Sequence, residues 1–142
     1  MKVNIIKFLN SFNSYLFELK KSKKIKIFTL IKTSGIYDPY LSPVRESKKI
    51  ITIGIVSNNI DILNYISVED LLLFNFFFID HKFKEKNTKK IDIDVYFKKY
   101  NYYFFHPNEI TIDAAIQYLT LNKFKFLKEI LIVGSGNIGT KL

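Results

Sequence analysis

Glu129-Ile130-Leu131-Ile132-Val133-Gly134-Ser135-Gly136-Asn137-Ile138-Gly139 is an apolar run that leads straight into three glycines spaced G-x-G-x-x-G. Four consecutive apolar residues, three of them β-branched, are the pattern of a strand buried on both faces. Each glycine after it has a mechanical reason to be there. Gly134 permits a tight turn off the strand, Gly136 lets the backbone approach a pyrophosphate with no Cβ in the way, and Gly139 lets the next helix pack closely on the sheet. Unpaired N–H groups at the positive end of that helix then face the phosphates. Gly134, Ser135, Gly136, Asn137, Ile138 and Gly139 are therefore the expected cofactor-binding residues, with NAD or NADP as the cofactor. A complete fingerprint also needs a second strand and an acid about 20 positions further on. The sequence ends at Leu142, so the expectation is a Rossmann unit that opens without being finished. The competing reading is a glycine-rich tail after an ordinary strand.

Upstream of that stretch, apolar runs alternate with helical patterns. In residues 3–19, Ile5, Ile6, Leu9, Phe12, Leu16 and Leu19 recur at spacings of one, three and four, which predicts a helix with one apolar face. Residues 24–31 alternate Lys24 and Lys26 against Ile25 and Ile27, which predicts a half-exposed edge strand. Residues 33–46 hold Gly35, Pro39 and Pro43 and read as a loop; residues 50–56 read as a strand buried on both faces. Residues 60–74 read as a helix broken near Ser67, where Ser67-Val68-Glu69-Asp70 resembles a capping box. Residues 76–79 and 102–105 read as buried strands, and 81–90 as a charged loop. For 91–97 strand is the first reading, with helix as the alternative. In 109–122, Ile112, Ala115, Ile116 and Leu119 mark a second amphipathic helix. The class expected is α/β, with a mostly parallel sheet and helices on both faces. Residues 1–126 would form a substrate-type domain, and 127–142 the first strand and phosphate loop of a truncated dinucleotide-binding domain.

Composition narrows the function classes. A chain of 142 residues with 48% hydrophobic and 25% charged residues is ordinary globular material. The 14 Phe and 9 Tyr predict a Phe-rich core. With no cysteine there is neither a disulfide nor a thiolate site, which fits a reducing compartment. The longest apolar stretch, 71–79, is far below the roughly 18–20 residues of a membrane span. Together these predict a cytoplasmic chain with no membrane partner. The net charge of +9 comes from lysines in runs at 20–26, 82–90, 98–99 and 123–128, and Arg45 is the lone arginine. Specific phosphate and base recognition leans on the bidentate guanidinium, so the lysines read as a solvated surface and nucleic-acid binding ranks as the third alternative.

The arrangement resembles the two-domain NAD(P)-dependent dehydrogenases of the shikimate dehydrogenase and methylenetetrahydrofolate dehydrogenase kind. In those proteins an α/β substrate domain of about this length precedes the dinucleotide-binding domain, and a helix bridges the two, as 109–122 would here. The resemblance is architectural along the whole chain and specific from Thr111 to Leu142. It implies hydride transfer between the nicotinamide and a small-molecule substrate held between the domains. Ser42-Pro43 stands where shikimate dehydrogenases carry Ser-x-Ser-Pro, and Thr111-Ile112-Asp113 loosely echoes their Asn-Thr-Asp. Their Asn-Val-Thr-x-Pro stretch and its catalytic lysine have no counterpart, so shikimate is not the expected substrate.

Other candidate residues carry less specific signals. His106 ends an apolar strand, where α/β sheets place ligands; it and Asp113 are the candidates for acid–base work. Asp113 is also where a helix dipole favours an acid. Ser42 and Arg45, in the loop after the first strand, are the candidates for substrate contact. The two histidines lack metal-ligand spacing, and no metal is expected. The expected protein is thus the N-terminal part of an NAD(P)-dependent oxidoreductase, compatible with a homo-oligomer and inactive without the missing C-terminal Rossmann portion. The alternative is a non-catalytic α/β binding or interaction module.

Overall fold

The computed structural model describes residues 2–34, 38–85 and 92–121. The chain falls into two compact units, Met1–Phe104 and Phe105–Leu142. In the first, elements follow in the order α1 (Lys2–Lys21), β1 (Ile25–Lys32), β2 (Tyr40–Leu41), β3 (Arg45–Glu46), β4 (Ile50–Ser57), a 3-10 segment (Ile60–Tyr65), α2 (Val68–Leu71), β5 (Phe76–Asp80), α3 (Lys82–Glu85), α4 (Ile93–Phe97) and β6 (Tyr102–Phe105). The second contributes α5 (Pro107–Leu121). The class is α/β, as expected, and the sheet is mixed. Its order is β2-β4-β1-β5-β6, with β3 also on β4. β1 runs parallel to both β4 and β5, whereas β2 and β3 are antiparallel to β4.

One face of the sheet builds the core. Phe28 and Leu30 of β1 stand in register with Ile53 and Ile55 of β4 and with Phe77 and Ile79 of β5, and all six are buried. Residues two apart on a strand share a face, so three in-register strands offer one continuous apolar surface. α1 lays Phe8, Phe12, Leu16 and Leu19 into the same cluster. Phe77 is its hub, with ring centroids 5.6 Å from Phe28, 5.4 Å from Phe97 and 4.8 Å from Tyr100. Tilted and edge-on rings at these separations gain about 0.5–1.5 kcal/mol per pair beyond area burial. Phe8, Phe12, Phe28, Phe74, Phe77, Phe83 and Phe97 are all buried, so the core is Phe-rich as composition implied.

Several local expectations change. β1 is central, not an edge, because β4 and β5 flank it; its lysines sit at its ends, where the strand meets solvent. Ile6 is exposed and Phe8 takes the inward position on α1. Residues 102–105 form a strand beside β5 that is only partly buried. The expected loop 33–46 carries β2 and β3, which pair with β4 as the long arm of a hairpin closed by Ser47 N–H donating to the Ile50 carbonyl at 2.8 Å. The register slips by one residue between Leu41 and Arg45, which marks a bulge. Residues 93–97 are helical: Asp92 caps α4, its carboxylate accepting the N–H groups of Asp94 at 3.0 Å and Val95 at 3.2 Å. The charged segment after His81 opens as the short helix α3. The break near Ser67 is as read, with the Ser67 hydroxyl oxygen accepting the Asp70 N–H at 3.1 Å.

Candidate functional site

The chain order along the parallel strands positions a site. β1 is followed by connections leading to β4 on one side, and the chain then crosses to β5 on the other. In open α/β sheets, ligands sit outside the carboxyl ends of the strands where the order reverses in this way. Here that place is the end shared by β1, β4 and β5, formed by Lys32-Thr33-Ser34, Ser57-Asn58-Asn59 and Asp80-His81-Lys82.

Two side chains at this end are polar and nearly inaccessible, Asp80 at 1% exposure and Ser57 at 3%. The Asp80 carboxylate accepts the Lys32 N–H at 3.0 Å through Oδ2 and the Lys82 N–H at 3.0 Å through Oδ1. It ties the end of β1 to the end of β5. The Ser57 hydroxyl donates to the Asn59 carbonyl at 2.8 Å and accepts the Asn59 N–H at 3.2 Å, while the Ser57 carbonyl accepts the Thr33 N–H at 3.1 Å. Asn59 in turn caps the 3-10 segment, accepting the Asp61 N–H at 3.0 Å. The Lys32 ammonium donates to the Lys82 carbonyl at 3.0 Å and lies over the Phe83 ring. The carboxyl end is therefore a rigid polar frame.

A cleft of about 410 Å³ lies apart from this frame, between α1 and the segment entering β2 on the outer side of β4, and shares no lining residue with it. Lys7, Phe8 and Tyr15 line it from α1; Asp38, Tyr40 and Leu41 line it from the other wall. Tyr40 is in register with Val56, near the end of β4, so this wall lies toward the carboxyl ends. Small-molecule sites typically enclose about 300–1,000 Å³ with apolar walls and a few polar groups. The cleft has that volume and offers an ammonium, a carboxylate and two phenols, and it is an open groove in which Lys7, Tyr15, Asp38 and Tyr40 are exposed. Ser11 also lines the cleft, with its hydroxyl donating back to the Lys7 carbonyl at 3.1 Å.

The residues singled out in the sequence fall in different places. Ser42 and Arg45 lie on the ribbon outside β4. The Ser42 N–H donates to the Gly54 carbonyl at 2.8 Å, and its side chain abuts Gly54; Arg45 is exposed opposite Thr52. His106 and Asp113 belong to the second unit, and both are exposed. The His106 carbonyl accepts the Ile110 N–H at 3.2 Å in the first turn of α5. Gly134, Ser135, Gly136, Asn137, Ile138 and Gly139 lie outside the described residues. Asp92 and Asp94 stand at the opening of α4, Asp92 as its cap and Asp94 in its first turn. Among the described residues no group of three His, Asp or Glu side chains is placed to hold a metal ion, and no helix is long and apolar enough to cross a membrane.

Asp80 and the cleft were missed in the sequence. The one signal for Asp80 is an acid directly after Phe76-Phe77-Phe78-Ile79, at the end of a buried strand. The cleft has no local signal, because its two walls are some thirty residues apart in sequence. Comparison of the chain with protein-family models, with curated proteins and with solved structures finds no match in any of the three.

Proposed function

We propose that residues 1–104 are a small-molecule-binding domain of the substrate type, and that the protein is an NAD(P)-dependent oxidoreductase acting on a small polar substrate. The observation that carries this reading is the cleft of about 410 Å³ between α1 and the segment entering β2, at the β2 side of the sheet and toward the carboxyl end of β4. The glycine spacing of Gly134, Gly136 and Gly139 after an apolar run supplies the second support. The dinucleotide would carry the redox chemistry, with bare N–H groups of that loop facing its phosphates. This chain's own task is to hold the substrate. Tyr15 and Tyr40 offer hydroxyls and ring faces, Asp38 accepts hydrogen bonds, and Lys7 supplies a positive charge.

Turnover by the full natural protein tests this function. Given NAD⁺ or NADP⁺ and a panel of small hydroxy acids and polyols, it is expected to form reduced cofactor with at least one of them. Tyr40→Ala should raise KM for that substrate while leaving dinucleotide affinity unchanged. A folded protein that binds neither dinucleotide refutes the oxidoreductase reading. Dinucleotide binding that is unaccompanied by any effect of Tyr40→Ala on substrate refutes the assignment of the cleft.

A further inference from the structure

The lysines that look scattered in the sequence are gathered by the fold. At the amino-terminal ends of the strands, α1 runs out through Lys20 and Lys21, and the chain enters β1 past Lys23, Lys24 and Lys26. The hairpin turn before β4 holds Lys48 and Lys49, and the Lys49 carbonyl accepts the Ile25 N–H at 2.9 Å. The connection from α4 to β6 brings Lys98 and Lys99 to the same end. Its Asn101 carbonyl accepts the Phe77 N–H at the start of β5, and the Asn101 amide reaches the Asn75 carbonyl at 3.3 Å. Three separate stretches of sequence thus deliver nine lysines to one pole.

Three of these are answered by carboxylates: Lys20 by Asp70 at 3.6 Å, Lys21 by Glu18 at 3.5 Å and Lys24 by Glu46 at 2.6 Å. Among the described residues no carboxylate pairs with Lys23, Lys26, Lys48, Lys49, Lys98 or Lys99. From the start of β4 to the start of β6 is three strand spacings, about 14 Å. Over that length a nucleic-acid duplex carries about eight phosphate charges.

We infer that this pole binds the phosphate backbone of a nucleic-acid duplex without regard to sequence. Lysine is a compact point charge on a flexible stem, suited to phosphates and unsuited to bidentate base reading. An anionic bilayer fits less well. α1 turns its apolar face into the core through Phe12, Leu16 and Leu19, so at this pole that face is not open to lipid. The exposed Ile25 and Ile50 are cross-strand partners at the strand starts, a small apolar pair set among the lysines.

Fluorescence anisotropy with a labelled random-sequence duplex tests the assignment. Four to six phosphate contacts predict an affinity loss of about a hundred- to a thousandfold between roughly 50 and 200 mM salt. Combined Lys23→Glu, Lys48→Glu and Lys49→Glu should weaken binding at least about a hundredfold at low salt, whereas Lys82→Glu, at the opposite ends of the strands, should change it less than about threefold. Circular dichroism confirms that the variants fold, and Lys→Gln replacements at the same three positions serve if the glutamates do not. Absence of binding at low salt, equal sensitivity to Lys82→Glu, or capture by phosphatidylserine vesicles without capture by the duplex overturns the inference.

Discussion

The Asp80 carboxylate, 1% exposed at the end of β5, accepts the backbone N–H of Lys32 at the end of β1 at 3.0 Å. Its other oxygen accepts the Lys82 N–H, also at 3.0 Å. One side chain therefore satisfies two backbone donors that the strand ends leave over, at the place where the chain order reverses. Hydrogen bonds to a charged group contribute about 1.5–3 kcal/mol each, and an orphaned buried donor costs about 1–3 kcal/mol. Asp80→Ala is expected to destabilise the protein by about 3 kcal/mol and Asp80→Asn, which keeps one acceptor, by about half as much. Urea unfolding measures both. Equal losses would mean that Asp80 acts by filling space and not as a double acceptor.

Gly54 marks a second constraint. A Cβ there would lie 2.5 Å from Thr29 Oγ1 and collide with the Ser42 hydroxyl. The glycine thus lets three neighbouring strands pass close together, and Ser42 earns its place as a packing partner. Overpacking of this kind costs about 1–3 kcal/mol, so Gly54→Ala should destabilise by that amount. Since Ser42 supplies much of the clash, Gly54→Ala combined with Ser42→Gly should cost less than the two single changes added together. A double-mutant cycle with no coupling would show that the strands move apart freely.

These contacts also explain how much the sequence could disclose. The α/β class was legible because apolar runs such as 50–56 need cover on both faces, and β4 is indeed buried from Ile53 onward. The alternation of Lys24 and Lys26 with Ile25 and Ile27 misled, because it reports water at the end of a strand and not at the edge of a sheet. Residues 93–97 misled for another reason. In so short a piece a period of two also satisfies a helical turn, since Ile93 and Phe97 are four apart; only the outward Val95, 69% exposed, breaks the strand pattern. The cleft and the lysine pole were not legible at all. Each is made by strand order, which joins residues such as Lys7 and Tyr40 that no local window contains.

Asp92 makes the helical outcome for 93–97 testable. Its carboxylate satisfies two N–H groups at the start of a helix of only five residues. Removing an N-cap costs about 0.5–2 kcal/mol. Asp92→Ala should destabilise within that range and Asp92→Ser by a few tenths, because the serine oxygen also caps. Thermal unfolding of the two variants distinguishes them. An alanine variant as stable as the wild type would mean that packing of Ile93 and Phe97 alone holds α4.

Asp94, two residues on, accepts the Tyr102 hydroxyl at 2.8 Å and so ties α4 to β6. That hydrogen bond, with smaller contributions from desolvation and from repulsion by Asp94 and Asp92, holds the Tyr102 phenol above its ordinary value. Unfolded tyrosine loses its proton near pH 10, earlier than Tyr102 does in the folded chain. Across the interval between the two the folded state binds more protons, so stability falls as pH rises. The stabilisation is complete below about pH 10 and is lost as pH climbs through the raised folded value. Tyr96 titrates late as well, through burial first and the charge of Tyr100 second, so the contribution of Tyr102 has to be isolated by difference. Alkaline absorbance titration of wild type minus Tyr102→Phe should give a single late phenolate, and in Asp94→Asn that component should move back toward ordinary tyrosine. Tyr102→Phe should also show a shallower loss of stability above about pH 10 than the wild type. An unchanged slope would mean that the bond to Asp94 does not persist in solution.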